Sequence, residues 1–271
     1  MPVILDQIVS ATRRRVAKAK HYTDVRALEH QAQKHQPRGF AQALRQAAQN
    51  GFGIIAELKK ASPSRGLIRR DFHPDALARE LAAAGATALS VLTDEEFFQG
   101  SLGYLAEASA AVMTPLLRKD FMIDEFQIVE ARANCADAIL LIVAALSDQE
   151  LGALHSRAKE FGLDVLCEVH DAVELDRAIA AGCEIIGVNS RDLRTFHVDL
   201  NTAFELGSKI PANVVRVAES GIGTVDDIAR LRAAGFEAFL IGESLMKVEH
   251  PGEMLKRLIV SAELAQKVAA Q

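Results

Sequence analysis

The chain has no tryptophan, only three cysteines, and no apolar run of membrane-spanning length. A membrane span needs roughly 18–20 apolar residues in a row, and every apolar run here is far shorter. Cys135, Cys167 and Cys183 are odd in number and match neither a CxxC nor a zinc spacing. They are expected as reduced thiols in or near a core. The eight histidines form no HExxH or paired spacing, so no metal site is expected. Nor is there an excess of positive charge: 31 Lys and Arg stand against 36 Asp and Glu, a formal net charge of −5. That excludes broad electrostatic binding to nucleic acid or anionic lipid, but not a local basic pocket. The opening stretch MPVILDQIVSATRRRVAKAK places its basic cluster after a short apolar run, the reverse of a secretory leader. Leu5, Ile8, Val9, Thr12 and Val16 share one helical face, so the stretch reads as an amphipathic helix. A cytoplasmic protein is expected.

What the chain does have is a recurring phrase. In AAAGATALSVL (82–92), ARANCADAILLIV (131–143), AIAAGCEIIGVN (178–189) and LRAAGFEAFLIG (231–242), small residues and a Gly or Cys lead into a short apolar run. Each reads as a helix end followed by a buried strand. Further strands read at 54–59, 114–119, 163–169 and 214–219. Helical patterns lie between them, for example over 74–84, 124–133, 148–161, 172–181 and 224–234. Strands apolar on both faces belong in a covered parallel sheet. Eight βα units in 271 residues predict an α/β protein of (β/α)8 TIM-barrel class. A doubly wound open sheet is the alternative, but it would carry a glycine fingerprint after its first strand, and SPSRG is not GxGxxG. Residues 1–48 are expected as an N-terminal helical extension on a barrel spanning 49–271, the whole 1–271 forming one domain. The tail 252–268 reads as the last helix.

The strand ends break the apolar rule. The run IIAELKK ends with Glu57 and Lys59, two residues apart and so on one face. Lys119 ends LLRK, Glu168 lies in LCEVH, Asn189 ends IIGVN and Glu219 ends VVRVAE. Active sites of this fold lie at the C-terminal strand ends, and interior layers come from alternate strands. Glu57, Lys119, Glu168 and Glu219 fall on strands one, three, five and seven, so they are expected in one layer. Converging acids and amines shift one another's pKa into the range useful for proton transfer. Ser220 and Gly221 follow strand seven, and Gly242 and Glu243 follow strand eight. Loops there form the recurrent phosphate site of the fold, through backbone N–H groups. Phe98, Phe121 and Leu193 could together wall a flat ring.

AELKKASPSRG, LTDEEFFQGS, PLLRKDF, the LLIV run 140–143, LCEVH, IGVNSRDL, AESGI and FLIGESLM resemble indole-3-glycerol phosphate synthases, in order and spacing, over about residues 50–250. The resemblance implies a carboxy-lyase of tryptophan biosynthesis, with 1-(2-carboxyphenylamino)-1-deoxyribulose 5-phosphate as substrate and no metal or organic cofactor. It implies Lys119 as general acid for ring closure and Glu168 as its carboxylate partner. It implies Lys59 as an acid and Glu57 as a base in dehydration, with the assignment among Glu57, Lys59 and Glu168 open. Asn189 would orient substrate, and Arg191 would hold a carboxylate or brace its loop. Glu219 would anchor sugar hydroxyls or the lysines. Ser220, Gly221, Gly242 and Glu243 would meet the phosphate near Lys59 and Ser62, and Leu140 would touch substrate. With Glu at 243, the backbone N–H is expected on the phosphate and the carboxylate turned away. Without tryptophan, any wall supplied by the extension must use other side chains. The expected partner is the small sugar phosphate with its anthranilate ring, with no nucleic acid and no membrane, and the protein is expected as a monomer or weak homo-oligomer. Two other readings remain: another phosphate-binding barrel enzyme, such as phosphoribosylanthranilate isomerase, and a barrel that binds a sugar phosphate without turnover.

Overall fold

The computed structural model describes residues 5–269. Its eight main strands are β1 (Gly53–Leu58), β2 (Ala88–Leu92), β3 (Leu116–Lys119), β4 (Ala138–Ile142), β5 (Asp164–Val169), β6 (Ile185–Asn189), β7 (Val215–Glu219) and β8 (Ala238–Ile241). They pair in parallel, each with its sequence neighbours, and β8 closes on β1 through Gly53↔Ala238 to Ala56↔Ile241. The sheet is a closed barrel, which removes the open-sheet alternative. The helices α1 (Leu5–Tyr22), α2 (Val25–Ala32) and α3 (Phe40–Gln49) precede it. The outer ring is α4 (Pro74–Ala83), α5 (Leu102–Ala111), α6 (Glu125–Ala133), α7 (Asp148–Glu160), α8 (Ala172–Ala180), α9 (Asn201–Gly207), α10 (Val225–Ala233) and α11 (Pro251–Ala269).

Alternation along each strand divides the apolar residues into two cores. Ile54, Ala56, Leu58, Leu89, Leu116 and Leu141 pack outward against the helices. Ile55, Leu117, Leu140, Leu166, Val217 and Leu240 fill the barrel interior. This is why the strands read as apolar on both faces. The helix stops recur as the phrase predicted: Gly85, Gly182 and Gly235 all have positive φ. Cys135 makes the same left-handed turn, with φ 66°.

The extension reaches both ends of the barrel. At the C-terminal mouth, Arg15 of α1 donates to Asp120 at 2.7 Å, and Lys20 reaches Asp124 at 3.0 Å. Along the side, Ala32 packs with Val129 and Ala133 of α6. At the bottom, Phe40, Ala41 and Leu44 of α3 close the interior core.

One expectation fails. Cys167 and Cys183 form a disulfide rather than separate thiols, and Cys135 alone is free. The reason is topological. Residues 16 apart sit at the two ends of the β5–α8–β6 crossover, and parallel pairing of Leu166 with Ile185 brings their Cα atoms to 6.4 Å. That is within the usual span of a disulfide. No helix among the described residues is long and apolar enough to cross a membrane.

Candidate active site

Parity puts the charges inside. Glu57 follows interior Ile55 by two residues, Lys119 follows Leu117, Glu168 follows Leu166 and Glu219 follows Val217. Asn189 shares the parity of interior Ile185. Side chains two apart on a strand point the same way, so apolar layers give way at the mouth to a layer of acids and a lysine.

The contacts are short. Lys119 Nζ lies 3.1 Å from Glu168 Oε2 and 3.9 Å from Glu219 Oε2. Lys59 Nζ lies 2.6 Å from Glu57 Oε1. Two glycines make room for this. A Cβ at Gly187 on β6 would overlap the Glu219 carboxylate, and one at Gly242 would lie 2.8 Å from Glu57 Cβ. Gly242 therefore makes room for the charged layer as well as opening the loop after β8.

Electrostatics separate the members of this layer. Burial alone would lower the Lys119 pKa, but Glu168, Glu219 and Glu57 raise it above the ordinary lysine range. Lys119 is a firm ammonium. Burial pushes Glu219 up, and the charge of Glu168 adds to it, to about 8. Glu168, despite the same burial, is pulled below the usual carboxylate range by Lys119 and His170. The two neighbouring carboxylates are thus pushed in opposite directions, Glu168 toward its charged form and Glu219 toward its protonated one.

Every candidate residue from the sequence lines one cavity of about 490 Å³ at the mouth. One side is apolar. Phe98 and Phe121 stand with ring centroids 6.2 Å apart and tilted by 38°, and Leu193 packs with them against the interior core. Asp94 caps the short helix Glu95–Phe98, accepting the Phe97 N–H at 2.7 Å, which fixes Phe98. Asp120 accepts the Phe121 N–H at 2.8 Å and also Thr93, Arg118 and Arg15. Lys119 is therefore flanked by a buried, fully paired network.

The opposite side carries the loops after β7 and β8 and three cations gathered on Glu243. Ser220 and Gly221 have consecutive positive φ values of 65° and 78°, a tight left-handed turn directly after β7. A Cβ at Gly221 would lie 2.7 Å from Val198. The hairpin Ala61–Ser62 with Gly66–Leu67 carries Ser62 and Arg65 to this end. The Glu243 carboxylate reaches sideways to Arg65 at 3.0 Å, Arg191 at 3.5 Å and Lys247 at 2.5 Å. Arg191 also donates to the Phe196 carbonyl at 3.2 Å and pairs with Val198 across its own loop. It braces that loop, and its N–H bonds Asn189 Oδ1 at 3.0 Å.

Several contributors escape the sequence reading. Leu5 and Ile8 of α1 line the cavity, so the wall from the extension is aliphatic. Their shared helical face was the available signal. Arg65 enters through an ion pair that no local pattern announces. His170 touches Glu168 at 3.3 Å, and its position two residues past Glu168 was a usable clue. Among the described residues, no group of three or more His, Cys, Asp or Glu could hold a metal ion.

The family model of indole-3-glycerol phosphate synthase matches residues 5–258. An indole-3-glycerol phosphate synthase of Koribacter versatilis is 55% identical, covering 96% of this chain and all of that one. Those of Burkholderia cenocepacia and Azospirillum brasilense are 47% and 48% identical, covering 95% and 96% of this chain and 99% and 100% of theirs. Among solved structures, thiamine phosphate pyrophosphorylase from Pyrococcus furiosus superposes with a TM-score of 0.60 at 15% identity, over 78% of this chain and 96% of that one. That last likeness is one of fold alone.

Proposed function

Because the chain belongs to the indole-3-glycerol phosphate synthase family, we infer that it is a carboxy-lyase of tryptophan biosynthesis. It converts 1-(2-carboxyphenylamino)-1-deoxyribulose 5-phosphate into indole-3-glycerol phosphate, carbon dioxide and water. The observation that carries the residue-level reading is the Lys119 ammonium, held among Glu168, Glu219 and Glu57 between the apolar wall and the anion-binding loops.

Substrate lies across the mouth in this reading. Its phosphate meets the N–H groups of Ser220, Gly221, Gly242 and Glu243, with Lys59, Ser62 and Arg65 as neighbouring donors. Its ring lies against Phe98, Phe121, Leu140 and Leu193. The ring carbon bearing the carboxylate attacks the C2′ ketone, and Lys119 gives its proton to the ketone oxygen as the bond forms. Loss of carbon dioxide returns the bonding pair to the ring. The new hydroxyl then leaves as water, with one group donating a proton to it and another removing one from the adjacent carbon. Lys59 with Glu57, 2.6 Å apart, supply that pair, and Glu168 balances Lys119 in the first step. Protonated Glu219 donates to sugar oxygens, Asn189 orients the substrate, and Arg191 holds the 190–198 loop. A cytoplasmic setting belongs to the same proposal.

The test is turnover of the substrate followed by indole fluorescence, against the low background of a chain with no tryptophan. Rising signal with no metal or cofactor added is expected. Tight substrate binding with no product would replace this reading with a binding-only barrel.

A further inference from the structure

Glu168 must stay charged in that mechanism, and its surroundings do not make this automatic. Buried carboxylates crowded together push one another toward the protonated form. Lys119 sides with Glu168, which it hydrogen-bonds at 3.1 Å, while Glu219 lies 3.9 Å away. One ammonium then faces two buried carboxylates, and His170, which the mechanism does not use, gives Glu168 a second cationic neighbour. Its Nε2 lies 3.3 Å from Glu168 Oε1, the oxygen that Lys119 leaves free, as an ion-pair contact without hydrogen-bond alignment, and this buried nitrogen has no other partner among the described residues. Its Nδ1 lies 3.0 Å from Glu174 Oε2, and that same oxygen accepts the His170 backbone N–H at 2.8 Å. Glu174, in the first turn of α8, thereby fixes the ring's orientation. An ionised carboxylate only accepts, so a ring nitrogen facing one needs a proton. A neutral ring has a single N–H and would leave a lone pair against one of the two carboxylates. With only 14% of its side chain exposed, the ring has little water to compensate.

We propose that His170 is a positioning residue, a fixed imidazolium clamped by Glu174 that holds Glu168 ionised beside Lys119. This rests on the catalytic reading of Glu168. The electrostatics agree with the geometry: burial would lower the ring, but Glu168 and Glu174 raise it to about 10. The groups facing the pair are Lys119 from β3, Glu57 from β1, Glu219 from β7 and Asn189 from β6, while Arg194 and Asp171 lie in the field around Glu174.

Two readouts test it. The first needs no turnover, so it stands or falls apart from the reaction assignment. Nitrogen NMR of the histidine rings, with His170 identified by its loss in His170→Gln, should find this ring doubly protonated at pH 8.5. Glu174→Gln should lower its titration by about one unit or more. A ring titrating near 6.5 in the unmodified chain overturns the proposal. The second readout is the pH profile of kcat. Loss of a neighbouring cation raises a carboxylate's pKa, so His170→Gln should move the acid limb upward by about 1–3 units with a smaller change in KM. An unmoved acid limb in folded His170→Gln also overturns it. If that variant does not fold, the ring is identified by its shift in Glu174→Gln, and its titration decides alone.

Discussion

At the bottom of the barrel, Asp137 is fully buried and every oxygen is engaged. Its Oδ1 accepts His35 Nε2 at 2.9 Å and the Arg38 N–H at 2.8 Å, and its Oδ2 accepts the Leu116 N–H at 2.7 Å. At the mouth, Glu219 is buried to 2% exposure, yet its Oε1 has no hydrogen-bond partner and its Oε2 lies 3.9 Å from a lysine. The first carboxylate is fastened mainly by backbone, which cannot re-pair. The second faces a cavity and a lysine that a ligand can also engage. A buried polar atom left unmatched costs stability, and here the unmatched atom belongs to a residue that lines the cavity at the mouth. Asp137 is held by partners that are fixed parts of the fold, whereas Glu219 is left with pairing capacity facing the cavity.

The largest effect that would test this contrast is at Lys119. Lys119→Ala should lower kcat by about 10²–10⁴-fold or more, while inorganic phosphate still binds, as titration calorimetry would register. Near-normal turnover would break the contrast at its centre. Asp137→Ala should do the opposite, costing about 3 kcal/mol in denaturant unfolding and leaving kcat per folded molecule within about twofold. Loss of kcat without loss of stability would reverse the roles of the two ends.

A pH series sharpens the comparison further. The Glu219 pKa is raised from 4.5 to about 8, so the folded state keeps a proton that the unfolded chain releases. Its contribution is complete below about pH 4.5 and is lost progressively as pH rises through 8. The melting temperature should therefore fall as pH rises from about 5 to 8, and Glu219→Gln should flatten that slope. The smallest effect belongs to an exposed pair far from either end. Removing Arg257 from its contact with Glu253, 3.3 Å apart, should change stability by no more than about 0.5 kcal/mol and leave turnover alone.

The barrel and its charged layer were legible because both follow from period-two alternation. Once Ile55 faces the interior, Glu57 must follow it there, and the same step carries Leu117 to Lys119 and Leu166 to Glu168. Even Cys135 could be read as a helix stop, because it stands where the parallel phrases place glycine. What was illegible depends on separations that no local pattern encodes. Arg65 meets Glu243 at the mouth, across the seam where β8 closes on β1. Cys167 meets Cys183 only once the crossover has formed. The amphipathic face of α1 announced that the helix packs somewhere, but not that Leu5 and Ile8 would become part of the pocket.

The extension has a further consequence, in time rather than in space. Residues 5–49 are synthesised before any strand, yet Arg15 waits for Asp120 and Arg45 for Glu184, 105 and 139 residues later. At translation rates of roughly 5–20 residues per second, that delay is on the order of ten seconds. During it the apolar face of α1 and the plug of α3 have no barrel to cover. The segment that finishes the pocket is thus the earliest made and among the last to be used, and a nascent chain must keep it from associating elsewhere until the barrel closes.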